Sequence, residues 1–337
     1  MIFPWPETMA LPRVQPSDSI QPSDSHLMKL QMENEMHGSI VGRRAFLQAG
    51  AIFMAGGVWQ PGSRSWLQAA PAEQSVDIRI GLLTDLHYAD KPTRGNRYYR
   101  ESLPKLNEAV AAFQNAQIEF AVELGDLIDS ASSLQEEQGF LKSINAPLAK
   151  AIPHRHYVLG NHCVERLTKE EFLGEVEQAR SYYAFDHRGY HIIILDACFR
   201  GDGVPYGRKN SDWKDAFIPP EELDWLKEDL RGTSLPTLVF VHQRLDVNNH
   251  YAPRNATEVR KVLESSRKVV AVFQGHSHAN DYHEINGIHY CTLAAMIEGA
   301  APEHNSYSIL KIHTDGALQV TGFRKQANYN WKSAVAD

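Results

Sequence analysis

The chain has 337 residues, a formal net charge of -7 and a mean hydropathy of -0.39, values that exclude a disordered chain and a polytopic membrane protein and allow a sizeable core. Its 34 Lys and Arg are scattered among 41 Asp and Glu, so the basic cluster that a nucleic-acid duplex requires as a partner is missing. Cys163, Cys198 and Cys291 are odd in number and widely spaced, which excludes a disulfide framework and a CxxC zinc site.

Residues 1–40 are rich in Pro, Ser, Asp and Gln and contain the near-repeat Gln15–Ser19 and Gln21–Ser25. No apolar period runs through them, so they are expected to form a disordered extension, with Met32 and Met36 as alternative starts. Residues 41–72 differ. Arg43-Arg44-Ala45-Phe46-Leu47 precedes the apolar run Ala49–Trp59, which is too short to span a bilayer permanently. This arrangement resembles a twin-arginine export signal, and Ala70-Pro71-Ala72 offers the small residues a signal peptidase prefers. The resemblance implies use of the export machinery, a periplasmic or secreted location, no stable membrane partner, and a mature domain over residues 73–337. A membrane anchor or a surface amphipathic helix is the other reading of this segment.

From Glu73 onward, strand and helix patterns alternate. Asp77–Thr84 reads as a strand, and Tyr99–Ala116 as a helix with Leu103, Leu106, Val110 and Phe113 at three-to-four spacing. Glu119–Leu124 is a second strand, 134–150 a second helix, and His156–Leu159 a third strand. The pattern then shifts. Ser181–Phe185 and Tyr190–Asp196 flank Arg188-Gly189 as a hairpin, and Phe199–Ile218 reads as a long loop. Pro219–Leu230 carries the signals of a helix, namely Pro at its start, acids in its first turn and Gly232 beyond its end. Strand Thr237–Val241, a helix capped by Asn255 and strand Lys268–Gln274 follow. Asn286-Gly287 and Asp315-Gly316 mark hairpins in the tail. Parallel βαβ crossovers with antiparallel additions predict an α/β fold, a four-layer α-β-β-α sandwich of two mixed sheets.

Five polar words stand where the apolar runs end: Asp85-Leu86-His87, Gly125-Asp126, Gly160-Asn161-His162, Val241-His242 and Gly275-His276-Ser277-His278. Any one of them alone is equally well a strand-end cap. Together they supply carboxylate, amide and imidazole ligands that converge beyond the carboxyl ends of the strands. Such a set suits two divalent cations about 4 Å apart, which neutralise a phosphate ester's oxygens and acidify a bridging water.

In this order the words resemble the signature of the calcineurin-like metallophosphoesterases, over Ile78 to Ala295. The resemblance implies a dinuclear centre in which Asp85, His87 and His278 hold one metal, Asn161, His242 and His276 hold the other, and Asp126 bridges them. The metals would be Mn, Fe or Zn. His162 would act as proton donor or leaving-group stabiliser while a metal-bridging hydroxide attacks phosphorus. The family often has an acid after Gly-Asn-His, where this chain has Cys163. Either another acid, Asp129 or Asp85, orients His162 instead, or His162 is less firmly held and the enzyme slower; Cys163 is expected simply to pack.

Asp85–Asp90, Arg97–Leu103 and Leu124–Asp129 further resemble the manganese-dependent ADP-ribose/CDP-alcohol diphosphatases, which typically have Gln where His87 stands here. This implies a small phosphorylated substrate, such as a nucleotide diphosphate. Arg97, Arg100, Tyr206, Arg208 and His304 are the candidate substrate contacts, with Trp213 in the same long loop as Tyr206 and Arg208. A metal-loaded binding protein without turnover is the competing class. The chain has no HExxH helix of a metallopeptidase.

Overall fold

A computed structural model of the chain describes residues 76–332, all within the unit Ala69–Asp337. The expected N-terminal extension, export signal and Glu73 start lie outside the described residues. In chain order the elements are β1 (Val76–Leu83), α1 (Ser102–Ala116), β2 (Phe120–Glu123), α2 (Leu134–Ala151), β3 (Arg155–Tyr157), α3 (Lys169–Glu175), β4 (Tyr183–His187), β5 (Tyr190–Ile194) and α4 (Pro220–Gly232). They continue with β6 (Thr237–Phe240), α5 (Ala256–Ser266), β7 (Val269–Gln274), β8 (Asp281–Ile285), β9 (Ile288–Thr292), β10 (Ser306–His313), β11 (Leu318–Arg324) and β12 (Tyr329–Trp331).

Two six-stranded mixed sheets result, in the orders β12-β11-β10-β1-β2-β3 and β4-β5-β6-β7-β9-β8. The strands β1, β2 and β3 are parallel, as are β5, β6, β7 and β9, while antiparallel strands complete each sheet. Side-chain alternation explains the layering. Ile80, Leu82 and Val122 point inward to meet Ile194, Phe240 and Phe273 of the other sheet. Leu83 and Ala121 point outward against Leu106 and Phe113 of α1 and Leu141 and Ile144 of α2. On the opposite side Ile193, Val239 and Val272 lie under Leu226 and Leu230 of α4 and Val259 and Leu263 of α5. The expected four-layer α-β-β-α sandwich is therefore the observed fold.

Three local details depart from the sequence expectations. The short α3 was not anticipated, although Thr168 and Glu171 form a capping box, each side chain accepting from the other's backbone N–H. Asn255 sits at the N-cap of α5, but its side chain accepts from Ile218 N–H and donates to Ile218 O, tying down the end of the long loop instead of capping the helix. The expected helix from Tyr99 begins as a 3-10 turn, Tyr99–Glu101, before α1.

Candidate metal centre

Loops leaving β1, β2, β3, β6 and β7 meet at one edge of the sandwich, and backbone hydrogen bonds extend the ladders past the strands. Asp85 N–H donates to Gly125 O at 2.9 Å, His87 N–H to Asp126 O at 2.8 Å, and Gly275 N–H to His242 O at 3.0 Å. The turns are tight enough that Asp85, His87, Asp126, His276 and His278 all adopt left-handed backbone, with φ between 44° and 68°. Non-glycine residues held there store strain, and such residues cluster at functional sites. Glycine is required beside them by close approach. A Cβ on Gly125, itself at φ 100°, would lie 2.5 Å from His242 Nδ1, and one on Gly160 would collide with the Asp126 carboxylate.

Two groups of donor atoms form. In the first, His87 Nε2 lies 3.6 Å from Asp85 Oδ1 and 3.1 Å from His278 Nε2, and His278 Nε2 lies 3.4 Å from Asp85 Oδ1. In the second, His242 Nε2 lies 3.1 Å from His276 Nδ1 and 3.3 Å from Asp126 Oδ2. That same Asp126 oxygen is 3.5 Å from His87 Nε2, so it is shared by both groups, while Oδ1 accepts from His162 N–H at 2.7 Å.

The groups fit divalent cations on two observations. Asp85 Oδ1 and Asn161 Oδ1 are buried without a hydrogen-bond partner among the described residues, although the other Asp85 oxygen accepts from Thr84 Oγ1 and His276 N–H. In the neutral rings the facing Nε2 atoms of His87 and His278 are also both acceptors. His87 Nδ1 donates to Asp129 at 3.2 Å, His278 Nδ1 to Glu298 at 2.7 Å, and His242 Nδ1 to Leu124 O at 2.8 Å. Each of those three rings, in its neutral form, thereby directs the lone pair of Nε2 into the centre.

Charges follow the same layout. Burial alone would raise the Asp126 carboxyl, but the imidazoles around it, His242 first, hold it below the usual carboxylate range. Burial works against a charged His278, yet Asp85 and Glu298 raise it to about 9. Burial and the neighbouring His242 push His276 down to about 3. At His162, Asp126, Glu165 and Asp129 overcome burial and raise the imidazole to about 9.

The acids beside His162 Nδ1 are Glu165, at 3.4 Å, and Asp129, at 3.8 Å; neither makes an aligned hydrogen bond. Cys163 is buried and packs in the helix-facing core. Glu165 was not anticipated. Its signal was its place three residues after His162, which requires a turn there.

A cavity of about 500 Å³ opens over the centre, lined by His87, Arg97, Asp126, Asn161, His162, Trp213, Tyr251, His276, Ser277 and His278. Of the candidate substrate contacts, Arg97 reaches it. Arg100 pairs with Asp90 at 2.5 Å, and Arg208 pairs with Glu171 and donates to Arg166 O. Tyr206 is buried and donates to Asp212 O, and His304 packs against Gly299; none of these four lines the cavity. Trp213 and the unanticipated Tyr251 instead flank His276, with ring centroids 5.4 Å and 5.7 Å away.

A family model described as calcineurin-like phosphoesterase matches residues 78–280, a span that holds every donor residue described above. The chain belongs to the calcineurin-like phosphoesterase family. This phosphoesterase, a metal-dependent phosphohydrolase, is 33% identical over 301 residues to a manganese-dependent ADP-ribose/CDP-alcohol diphosphatase of Danio rerio, covering 70% of this chain and 92% of the relative. A 3',5'-cyclic adenosine monophosphate phosphodiesterase of Haemophilus influenzae is 23% identical, with 61% of this chain and 74% of that one covered. Among solved structures, a dimetal phosphatase from Danio rerio superposes with a TM-score of 0.67 at 19% identity, covering 77% of the phosphoesterase and 99% of that chain. That likeness speaks for the fold.

Proposed function

We propose that the phosphoesterase hydrolyses a nucleotide diphosphate of the ADP-ribose or CDP-alcohol kind, using two divalent metal ions. The two-ion part of the reading is carried by one observation, that a single oxygen, Asp126 Oδ2, lies within 3.5 Å of an imidazole from each donor group, and the substrate class is supported by the likeness to the Danio rerio diphosphatase. Asp85, His87 and His278 would hold one ion, Asn161, His242 and His276 the other, with Asp126 between them. Bound there, the pair neutralises phosphate oxygens and acidifies water. His162, flanked by Asp126, Asp129 and Glu165, gives its proton to the departing oxygen. Arg97, about a third exposed at the cavity mouth and 3.7 Å from Asp129, meets a second phosphate. Trp213 and Tyr251 give the organic part of the substrate an apolar wall.

The test is turnover by metal-stripped protein after addition of manganese, on a panel of ADP-ribose, a CDP-alcohol, cyclic AMP and an aryl phosphate. Preference for the two diphosphates supports the substrate reading. Preference for cyclic AMP supports the second reading, which the Haemophilus influenzae relative favours. Ligand binding without product rejects hydrolysis altogether.

We also infer export through the Arg43-Arg44 signal, on the motif and the apolar run behind it. Unaltered export after Arg43→Lys with Arg44→Lys would remove that inference.

A further inference from the structure

Lys105 is a buried cation, 1% exposed, on the core-facing side of α1. Its Nζ donates to Met296 O and Gly299 O at 2.7 Å and to Glu298 O at 3.2 Å. Three donors meet three carbonyls, so the ammonium is saturated by one short segment. Three carbonyl dipoles aimed at one buried point repel one another unless a cation lies between them. Burial pushes the ammonium down to about 8, a desolvation cost that an apolar side chain on the same helix face would not incur.

The segment so gathered lies across the end of β1. Met296 N–H donates to Thr84 O at 3.1 Å, Ile297 N–H to Asp85 O at 3.0 Å, and Gly299 N–H to Asn96 O at 2.8 Å. From this segment Glu298 reaches the centre. Its Oε1 accepts from His278 Nδ1 at 2.7 Å and its Oε2 from Asn96 Nδ2 at 2.6 Å.

We propose that Lys105 is a positioning residue for the metal centre: by gathering the carbonyls of 296–299 it holds Glu298 where that carboxylate fixes the His278 ring. The influence runs from α1 through the segment to one donor group and stops there, because His242 is fixed by Leu124 O instead. The inference rests on the two-ion reading above.

Calorimetric titration of the metal-stripped protein with manganese tests it. The wild type is expected to take up two ions in two steps, and His278→Ala identifies the step that belongs to Asp85, His87 and His278. Lys105→Met should weaken that step about tenfold or more and leave the other unchanged, as removal of outer hydrogen-bond partners does at metal sites. Glu298→Gln should weaken the same step, and the double variant should lose no more than the weaker single variant. A merely structural lysine would lower Tm while leaving both steps intact or weakening both equally, and either result overturns the proposal. Where Lys105→Met does not fold, Lys105→Gln, which keeps a donor without the charge, carries the same test. Absence of both steps in the wild type would overturn the two-ion reading along with the inference, whereas two wild-type steps untouched by Lys105→Met overturn the inference alone.

Discussion

The two donor groups of the centre are built from similar residues but backed differently. Behind His87 and His278 stand carboxylates, Asp129 and Glu298, within 3.2 Å and 2.7 Å of the outer nitrogens. Behind His242 stands a backbone carbonyl, and His276 Nε2 is buried with no hydrogen-bond partner among the described residues, its ring walled by Trp213 and Tyr251. A carboxylate makes the imidazole it holds a more basic ligand, while an apolar wall disfavours charge. The surroundings of the two rings differ as well: Asp85 and Glu298 favour a charged His278 against its burial, while burial and the neighbouring His242 disfavour one at His276. On the proposed function, the carboxylate-backed group would be the stronger cation receptor, and the group walled by Trp213 and Tyr251 would face the organic part of the substrate.

The most severe way to break this contrast is Asp126→Asn, which removes the oxygen common to both groups. It should cost both ions and at least about 10³-fold in turnover of ADP-ribose. Elemental analysis beside a rate measurement checks it, and retention of either ion at full occupancy would contradict the shared role. Next is graded metal removal. Chelator should empty the His242 and His276 group first, with an affinity gap of about tenfold, read as manganese retained by His276→Ala and His278→Ala proteins. Loss in the reverse order would overturn the ranking.

A third test concerns the aromatic wall. Trp213→Ala should raise KM for ADP-ribose about fivefold while kcat changes by less than about twofold, since a stacking surface contributes on the order of 1 kcal/mol. An unchanged KM would leave the wall without a role in binding.

The smallest effect comes from a ring that lies outside the centre. His191 has carboxylates on both nitrogens, Asp186 at 2.6 Å and Asp229 at 2.7 Å, and so turns no free lone pair toward a cation. Burial opposes its charge, but the two acids raise it above its ordinary value of 6.5. Its contribution, about 1 kcal/mol, should be fully present below pH 6.5 and disappear as pH rises through the elevated folded-state value. Urea unfolding of the wild type and His191→Asn across that range checks the sign, and a difference that grows with pH would contradict it.

Much of this was legible in the sequence because the donor words are local. A strand that ends in Gly and then Asp or His announces its own turn, so Asp85, His87, Asp126, Asn161, His242, His276 and His278 stand out as candidate ligands without a fold in hand, and the structure brings them to one place. Glu298, Glu165, Tyr251 and Lys105 were not, since their positions are set by where loops and helices pack rather than by neighbours in the chain. Arg100 and Arg208 show the converse. Each looked free to meet an anion, and each is taken by an acid, Asp90 or Glu171, that the sequence gives no reason to pair with it. The missed helix α3 is a different case, for Thr168 and Glu171 spelled its start.

The left-handed backbone shared by Asp85, His87, Asp126, His276 and His278 has a consequence for selectivity. Such a conformation costs of order 1–3 kcal/mol per residue, which the packing around the turns must offset. A receptacle held in this way would select its guests by radius and preferred coordination number.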